Sequence, residues 1–411
     1  MIKYLLNIPY PYKAMISISN DCDGLTLEWF DLLHRFMNTN EETVLGRGLG
    51  LDISDSMWIY APDHSDKLLR DRVLSMKTGL SVDSPEDMAG ILSYHVGSGW
   101  IDTLHSIGDF SGIASQDQQP TSAHVDESER IMEKYNCQVP IWVNHGNSNN
   151  IQNIGTHEYM KGGRDDSNLF LLPHIRRMGI QYINNRFDNG QSFCLPKITN
   201  YDKDGNNFYS FSRFHKKRIT KESNVEGIQK ITQTKRGAKI GFVWHPTSLQ
   251  HQINRSTLDL LMKNNCEAII AQHLGSGPKN GFPDSAIKSL QILKEYQDNK
   301  NVLVARTSRL LNFVKIRDRS TIYTEVSGRD TIIFVIGPDD QKNSLDDFRG
   351  LSFILEEQVG QVKLIINDKE CPPELIFRER RNDGCWIVGI SWHKSDNTDY
   401  SGGRIPRYFM E

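Results

Sequence analysis

The run Trp100-Ile101-Asp102-Thr103-Leu104-His105-Ser106-Ile107-Gly108-Asp109-Phe110 ends an apolar alternation in a histidine and places a carboxylate four residues later. If the chain turns helically there, His105 and Asp109 stand one turn apart and face a common point. Zinc takes imidazole nitrogen and carboxylate oxygen at about 2.0–2.2 Å, so this spacing could supply two ligands at once. The plainer alternative is a satisfied strand-end histidine, with Asp109 capping the next segment. Asp21-Cys22-Asp23-Gly24 brings two more carboxylates to the end of an alternating stretch, and alone it reads equally well as a turn. His273 closes a third apolar run, Ala268-Ile269-Ile270-Ala271-Gln272. A divalent cation lowers the pKa of bound water from about 15.7 to about 7 and polarises a carbonyl. With a carboxylate as base and an imidazole as acid beside it, the chemistry would be hydrolysis.

The elements that must position these groups alternate. Residues 14–20, 51–60, 100–104, 139–143, 180–184, 240–244, 267–271 and 301–305 read as strands. Helical spacing covers 29–37, 83–94 (with Asp83 as cap), 127–135, 169–178, 256–263 and 286–296. Strands separated by helices predict a parallel α/β barrel of seven or eight strands, whose strand ends lie on one face where active sites are built. Asp21, Asp23, His105, Asp109, Asn144, His145, Arg186, Asp188, His245 and His273 all follow predicted strands. That recurrence is the strongest positional signal in the chain.

Between 189 and 235 the alternation breaks. Residues 200–209 read as a hairpin turning at Asp204-Gly205, an excursion over the barrel mouth. Arg213, His215, Lys216, Lys217, Arg218 and Lys221 form a small basic run, read as a solvated loop. Beyond Val314 short alternating runs and turn clusters replace helical spacing, predicting a small all-β, sandwich-like domain. The division expected is a barrel domain over 1–315 and a β domain over 316–411. Trp386 and Trp392 read as core aromatics there, with sugar stacking as the alternative.

With 411 residues, a net charge of −3 and no long apolar run, the composition argues against a nucleic-acid partner and a membrane span. The first seven residues, soon followed by Pro9, are a poor signal peptide, so a cytoplasmic protein is expected. Six scattered cysteines without a C-x-x-C pair suit reduced, buried thiols.

Over roughly residues 10–315 the chain resembles the NodB-type polysaccharide deacetylases, metal-dependent carbohydrate esterases on a distorted (β/α) barrel. Ser19-Asn20-Asp21-Cys22-Asp23-Gly24 matches their paired-aspartate motif in a spaced form. His105-Ser106-Ile107-Gly108-Asp109 matches the His-Ser/Thr-x-x-His or Asp motif, and the strand closing on His273 matches the last. The resemblance implies a divalent metal, zinc first with Co²⁺, Ni²⁺ or Mn²⁺ as alternatives, held by Asp23, His105 and Asp109. It implies Asp21 as the base that takes a proton from water and His273 as the acid. The implied substrate is an N-acetylated, or O-acetylated, sugar of a polysaccharide or its precursor. The family's usual set is Asp-His-His. Either Asp109 takes the second histidine's place, or Asp109 orients His105 and His145, His245 or water takes it. Asn144-His145-Gly146-Asn147 stands where an arginine-proline motif is usual, and Arg186-Phe187-Asp188 is nearest to the aspartate-tryptophan motif. Asn144, His145, Arg186 and His245 are therefore further ligand or substrate contacts. The departures also permit a non-catalytic glycan-binding protein on the same scaffold.

Overall fold

Ala14, Ile16 and Ile18 alternate with Met15, Ser17 and Ser19, so strand Ala14–Asn20 gives one buried layer an apolar face and a second layer Met15 from the opposite face. A computed structural model describes residues 2–61, 74–78, 87–110, 119–146, 148–185, 198–203, 205–214, 216–219, 231–233, 239–242, 245–275, 281–338, 343–356 and 360–393. Ala14–Asn20 lies inside the principal sheet. Glu267–Gln272 runs parallel along one side of it. On the other side Val302–Val304 pairs with its start and Ser54–Ala61 with its end. The sheet continues in parallel through Ile101–Leu104, Ile141–Val143, Tyr182–Asn184 and Asn206–Ser210, then antiparallel to Thr199–Lys203.

One isolated bridge, Phe214 to Ile270, connects the chain leaving Asn206–Ser210 to Glu267–Gln272. The fold is mixed α/β on a central parallel sheet, and among the described residues no closed barrel of seven or eight strands is detected. The expected hairpin forms, with Gly205 at φ +74°, but Asn206–Ser210 extends the sheet edge beside Tyr182–Asn184. Lys239–Phe242 is a strand outside the principal sheet, antiparallel to Lys216–Ile219 and Ile231–Gln233.

Helices Leu27–Asn38, Asp87–Ser98, Ser122–Lys134, Leu172–Arg177, Arg255–Asn264 and Asp284–Asp298 bring apolar side chains to one layer. The proposed cap Asp83 lies outside the described residues. A further helix, Thr307–Arg319, runs through Val314, where sequence texture suggested none. Its start is fixed by distant residues: Asp102 Oδ2 accepts the Ser308 N–H at 2.8 Å, and Asp52 pairs with Arg306 (2.9 Å) and Arg309 (2.8 Å). Burial opposes ionisation of Asp52, yet the two guanidiniums hold it at about 2.

Leu310, Leu311 and Val314 of that helix share the second apolar layer with Met15, Ile141 and Leu303 and with two C-terminal β-sheets. One of these contains Thr321–Ser327, Asp330–Ile336, Val362–Ile366 and Lys369–Glu370. The other contains Ile2–Leu5, Ser352–Leu355, Trp386–Ile390 and Ile376–Arg380, so the chain's first strand belongs to its last sheet. Arg378 covers the Trp386 ring at 4.1 Å, and Trp392 packs edge-on to Phe313. Cys22, Cys137, Cys266, Cys371 and Cys385 are buried and take part in no disulfide. No helix among the described residues is long and apolar enough to cross a membrane.

His95 is buried against Phe30 (4.7 Å) and Trp100 (5.5 Å), and its Nδ1 makes no hydrogen bond. Burial, reinforced by His34, pulls its pKa down to about 3. The unfolded chain takes this proton near pH 6.5 whereas the folded chain refuses it, so stability present above about 6.5 is lost as pH falls toward 3. His95→Phe should flatten that decline, by about 1.4 kcal/mol for each pH unit below 6.5. Urea unfolding of both proteins at pH 7 and 5 measures it, and parallel pH profiles would refute the assignment.

Candidate metal centre

Residue Asp21 directly follows Ala14–Asn20, and Asp23 stands two positions on, their loop tied down by the Cys22 N–H donating to Ser56 Oγ at 2.9 Å. Asn20 ties the end of this strand to its neighbours on both sides. Its Nδ2 donates to Asp55 Oδ2 at 2.5 Å, and its Oδ1 accepts the Leu274 N–H at 2.6 Å, beside His273.

His105 follows Ile101–Leu104, but the chain does not turn helically after it. Ser106 adopts a left-handed φ of 56°. Ile107 O accepts from Tyr60 N at 3.0 Å, and Tyr60 O accepts from Asp109 N at 3.2 Å. Gly108 is required for this approach, because a Cβ there would lie 2.6 Å from Tyr60 O. The turn lays Asp109 along the neighbouring strand instead of stacking it one helical turn from His105. Its Oδ1 lies 3.0 Å from His145 Nε2.

Three residues then converge. His105 Nε2 is 3.2 Å from Asp23 Oδ2, His145 Nδ1 is 3.4 Å from Asp23 Oδ1, and the two imidazole nitrogens are 2.7 Å apart. Bonds of 2.0–2.2 Å to a tetrahedral ion put its ligands about 3.3–3.6 Å from one another. The two carboxylate–imidazole separations approach these values and the imidazole pair is closer, at hydrogen-bond distance, so the set has the composition of an Asp-His-His cation site. The Trp58 ring lies parallel to His105 at 6.0 Å and meets His145 edge-on at 5.1 Å, walling the imidazoles from the core. Asp109 is not in the converging set; its Oδ1 beside Nε2 suits a His145 imidazole that carries its proton on Nε2 and turns Nδ1 toward Asp23.

Asp21, Asp23 and His273 form an overlapping group. Both Asp21 oxygens, however, accept from Arg213: Nη1 donates to Oδ1 at 2.5 Å and Nη2 to Oδ2 at 3.0 Å. A cation there would face a guanidinium, so the Asp23-His105-His145 set is the better metal site. His273 Nε2 lies 3.3 Å from Asp21 Oδ2 and 3.7 Å from Asp23 Oδ2. Burial pushes the Asp21 pKa up, but Arg213 first, then His105 and His273, hold it well below the usual carboxylate range. Asp23 is partly exposed, and although desolvation opposes its ionisation, His145, His273 and His105 hold its pKa low. Burial favours neutral His145, but Asp23, Asp109 and Asp21 raise it to about 9. His273 is raised against burial by Asp23 and Asp21, with Arg213 opposing.

The other sequence candidates separate. Asn144 faces the main chain of Ile154, donating to its O at 2.7 Å and accepting its N–H at 2.9 Å. His245 caps the short Pro246–His251 helix through Thr247, and burial followed by His273 lowers its pKa. Arg186 and Asp188 lie outside the described residues. Arg213, read as part of a solvated basic run, is only 4% exposed. The signal for it was its neighbourhood: Phe211 and Arg213 stand two apart between aromatic residues, as one face of an extended segment would. Trp58 and Asn153 were also not singled out from sequence.

The chain matches no family model and no curated protein sequence.

Proposed function

We propose that the protein is a metal-dependent hydrolase that removes an acetyl group from an N-acetylated, or O-acetylated, sugar of a polysaccharide or its precursor. The observation that carries this is the convergence of Asp23, His105 and His145 donor atoms within reach of a carboxylate-arginine pair and a further histidine. On this reading the central sheet, with its Phe214–Ile270 bridge, is a strongly distorted NodB-type barrel.

Asp23, His105 and His145 would hold the cation, with zinc suited to the mixed oxygen and nitrogen set and Co²⁺, Ni²⁺ or Mn²⁺ as alternatives. When bound, the cation supplies an acidified water and polarisation of the acyl oxygen. Asp21 takes the proton of the attacking water. Arg213 fixes both its orientation and its ionised state, so the base is set before substrate arrives. His273, drawn toward its protonated form by Asp23 and Asp21, delivers a proton to the departing amine or alcohol. Asp21, His105 and His145 are each at most 4% exposed, and excluding water strengthens every charge interaction among them.

The test is metal content together with acetate release from acetamido sugars and their oligomers. About one equivalent of zinc per chain is expected. Chelation should remove zinc and acetate release together, and added zinc should restore both. Failure to bind metal, together with no acetate release from any acetamido sugar, would overturn the hydrolase and favour glycan binding.

A further inference from the structure

His145 lies beyond a strand of only three residues, Ile141–Val143, and is followed by Gly146 at φ +63°, so no regular element holds it. A second loop does. Asn153 Oδ1 accepts the His145 N–H at 3.1 Å, and Asn153 Nδ2 donates to His145 O at 2.8 Å. The neighbouring residues repeat this in the opposite sense, Asn144 gripping both main-chain groups of Ile154. Two adjacent asparagines thus clamp the loops to each other, as a pair of strands would be held but through side chains.

The same loop also grips the turn that carries His105 and Asp109. Asn150 Oδ1 accepts the Phe110 N–H at 2.9 Å, and Gln152 Nε2 donates to Gly108 O at 3.0 Å and to Ser106 Oγ at 3.3 Å. Asn150, Gln152 and Asn153 are at most 1% exposed. The loop is braced from behind by Gly162, where a Cβ would meet Gln152 O at 2.1 Å.

We propose that Asn153 is a positioning residue that presents His145 to the cation, as one half of this reciprocal clamp. The inference rests on the metal-dependent reading above. Removing groups that orient a ligand typically costs about 10–100-fold in metal affinity.

Zinc affinity, measured by competition with a chromophoric chelator, should therefore fall about 10–100-fold in Asn153→Leu. The absorption spectrum of the cobalt-substituted protein should change with it. Asn153→Asp keeps the size and the acceptor for the His145 N–H, and should fall between wild type and Asn153→Leu. In a His145→Ala background, Asn153→Leu should change zinc affinity by less than about twofold, since the residue it positions is gone. A purely structural role would lower affinity equally in both backgrounds, and that result overturns the proposal. So does wild-type affinity and spectrum in Asn153→Leu. If Asn153→Leu does not fold, Asn153→Asp with wild-type affinity and spectrum overturns it in the same way. Zinc binding that is unaffected by His105→Ala would overturn the metal reading itself, and this inference with it.

Discussion

Asp21→Asn should release acetate at least about 10²–10⁴-fold more slowly than wild type while binding the same amount of zinc. The two halves of that result separate proton transfer from metal binding. Asp21 lies outside the Asp23-His105-His145 set, and both its oxygens face Arg213 rather than the converging nitrogens. An amide keeps the size and one acceptor for Arg213, but it cannot take a proton from water. Acetate release by coupled assay and zinc content by elemental analysis, on the same preparation, read both. A variant that lost zinc in proportion to activity would instead make Asp21 a ligand. One that kept its activity would remove Asp21 from the chemistry.

Arg213→Met should cost about 3–5 kcal/mol of stability, because it leaves the Asp21 carboxylate buried without its guanidinium. Arg213 and Asp21 are both 4% exposed, so water cannot make good the loss. Replacing both partners, Asp21→Leu with Arg213→Met, should recover much of the stability, since an apolar pair carries no uncompensated charge. Activity should not return, as the base is gone. Urea unfolding midpoints of the two single variants and the double variant measure the coupling. If Arg213→Met unfolded at the wild-type midpoint, the pair would be a surface contact energetically, whatever its burial.

How much of this was legible depends on what kind of signal a residue carries. Asp21, Asp23, His105 and His273 stand at the ends of apolar runs, and period-two alternation makes such runs readable without knowing their neighbours. The helical turn that the sequence around Asp109 permits does not form, because Ser106 at positive φ and Gly108 pressed on Tyr60 set a different one. That choice depends on a strand nearly fifty residues away in sequence, which no local pattern encodes. Arg213 was hidden for the opposite reason. Its companions Lys216, Lys217 and Arg218 dominate the composition of the stretch, while its partner Asp21 is 192 residues distant. Helix Thr307–Arg319 was missed since its start is capped by Asp102 and Asp52, from two other strand termini, and not by a residue beside it. Asn153 looks like any loop asparagine until its contact with His145 is seen.

The pairing of Ile2–Leu5 with Ser352–Leu355 bears on how the chain is made. During synthesis at about 5–20 residues per second, the first strand waits tens of seconds for its partner to leave the ribosome. Throughout that interval its hydrogen-bonding edge is open to any other extended segment. Among the described strand pairings, that of Ile2–Leu5 is therefore the one longest delayed during synthesis.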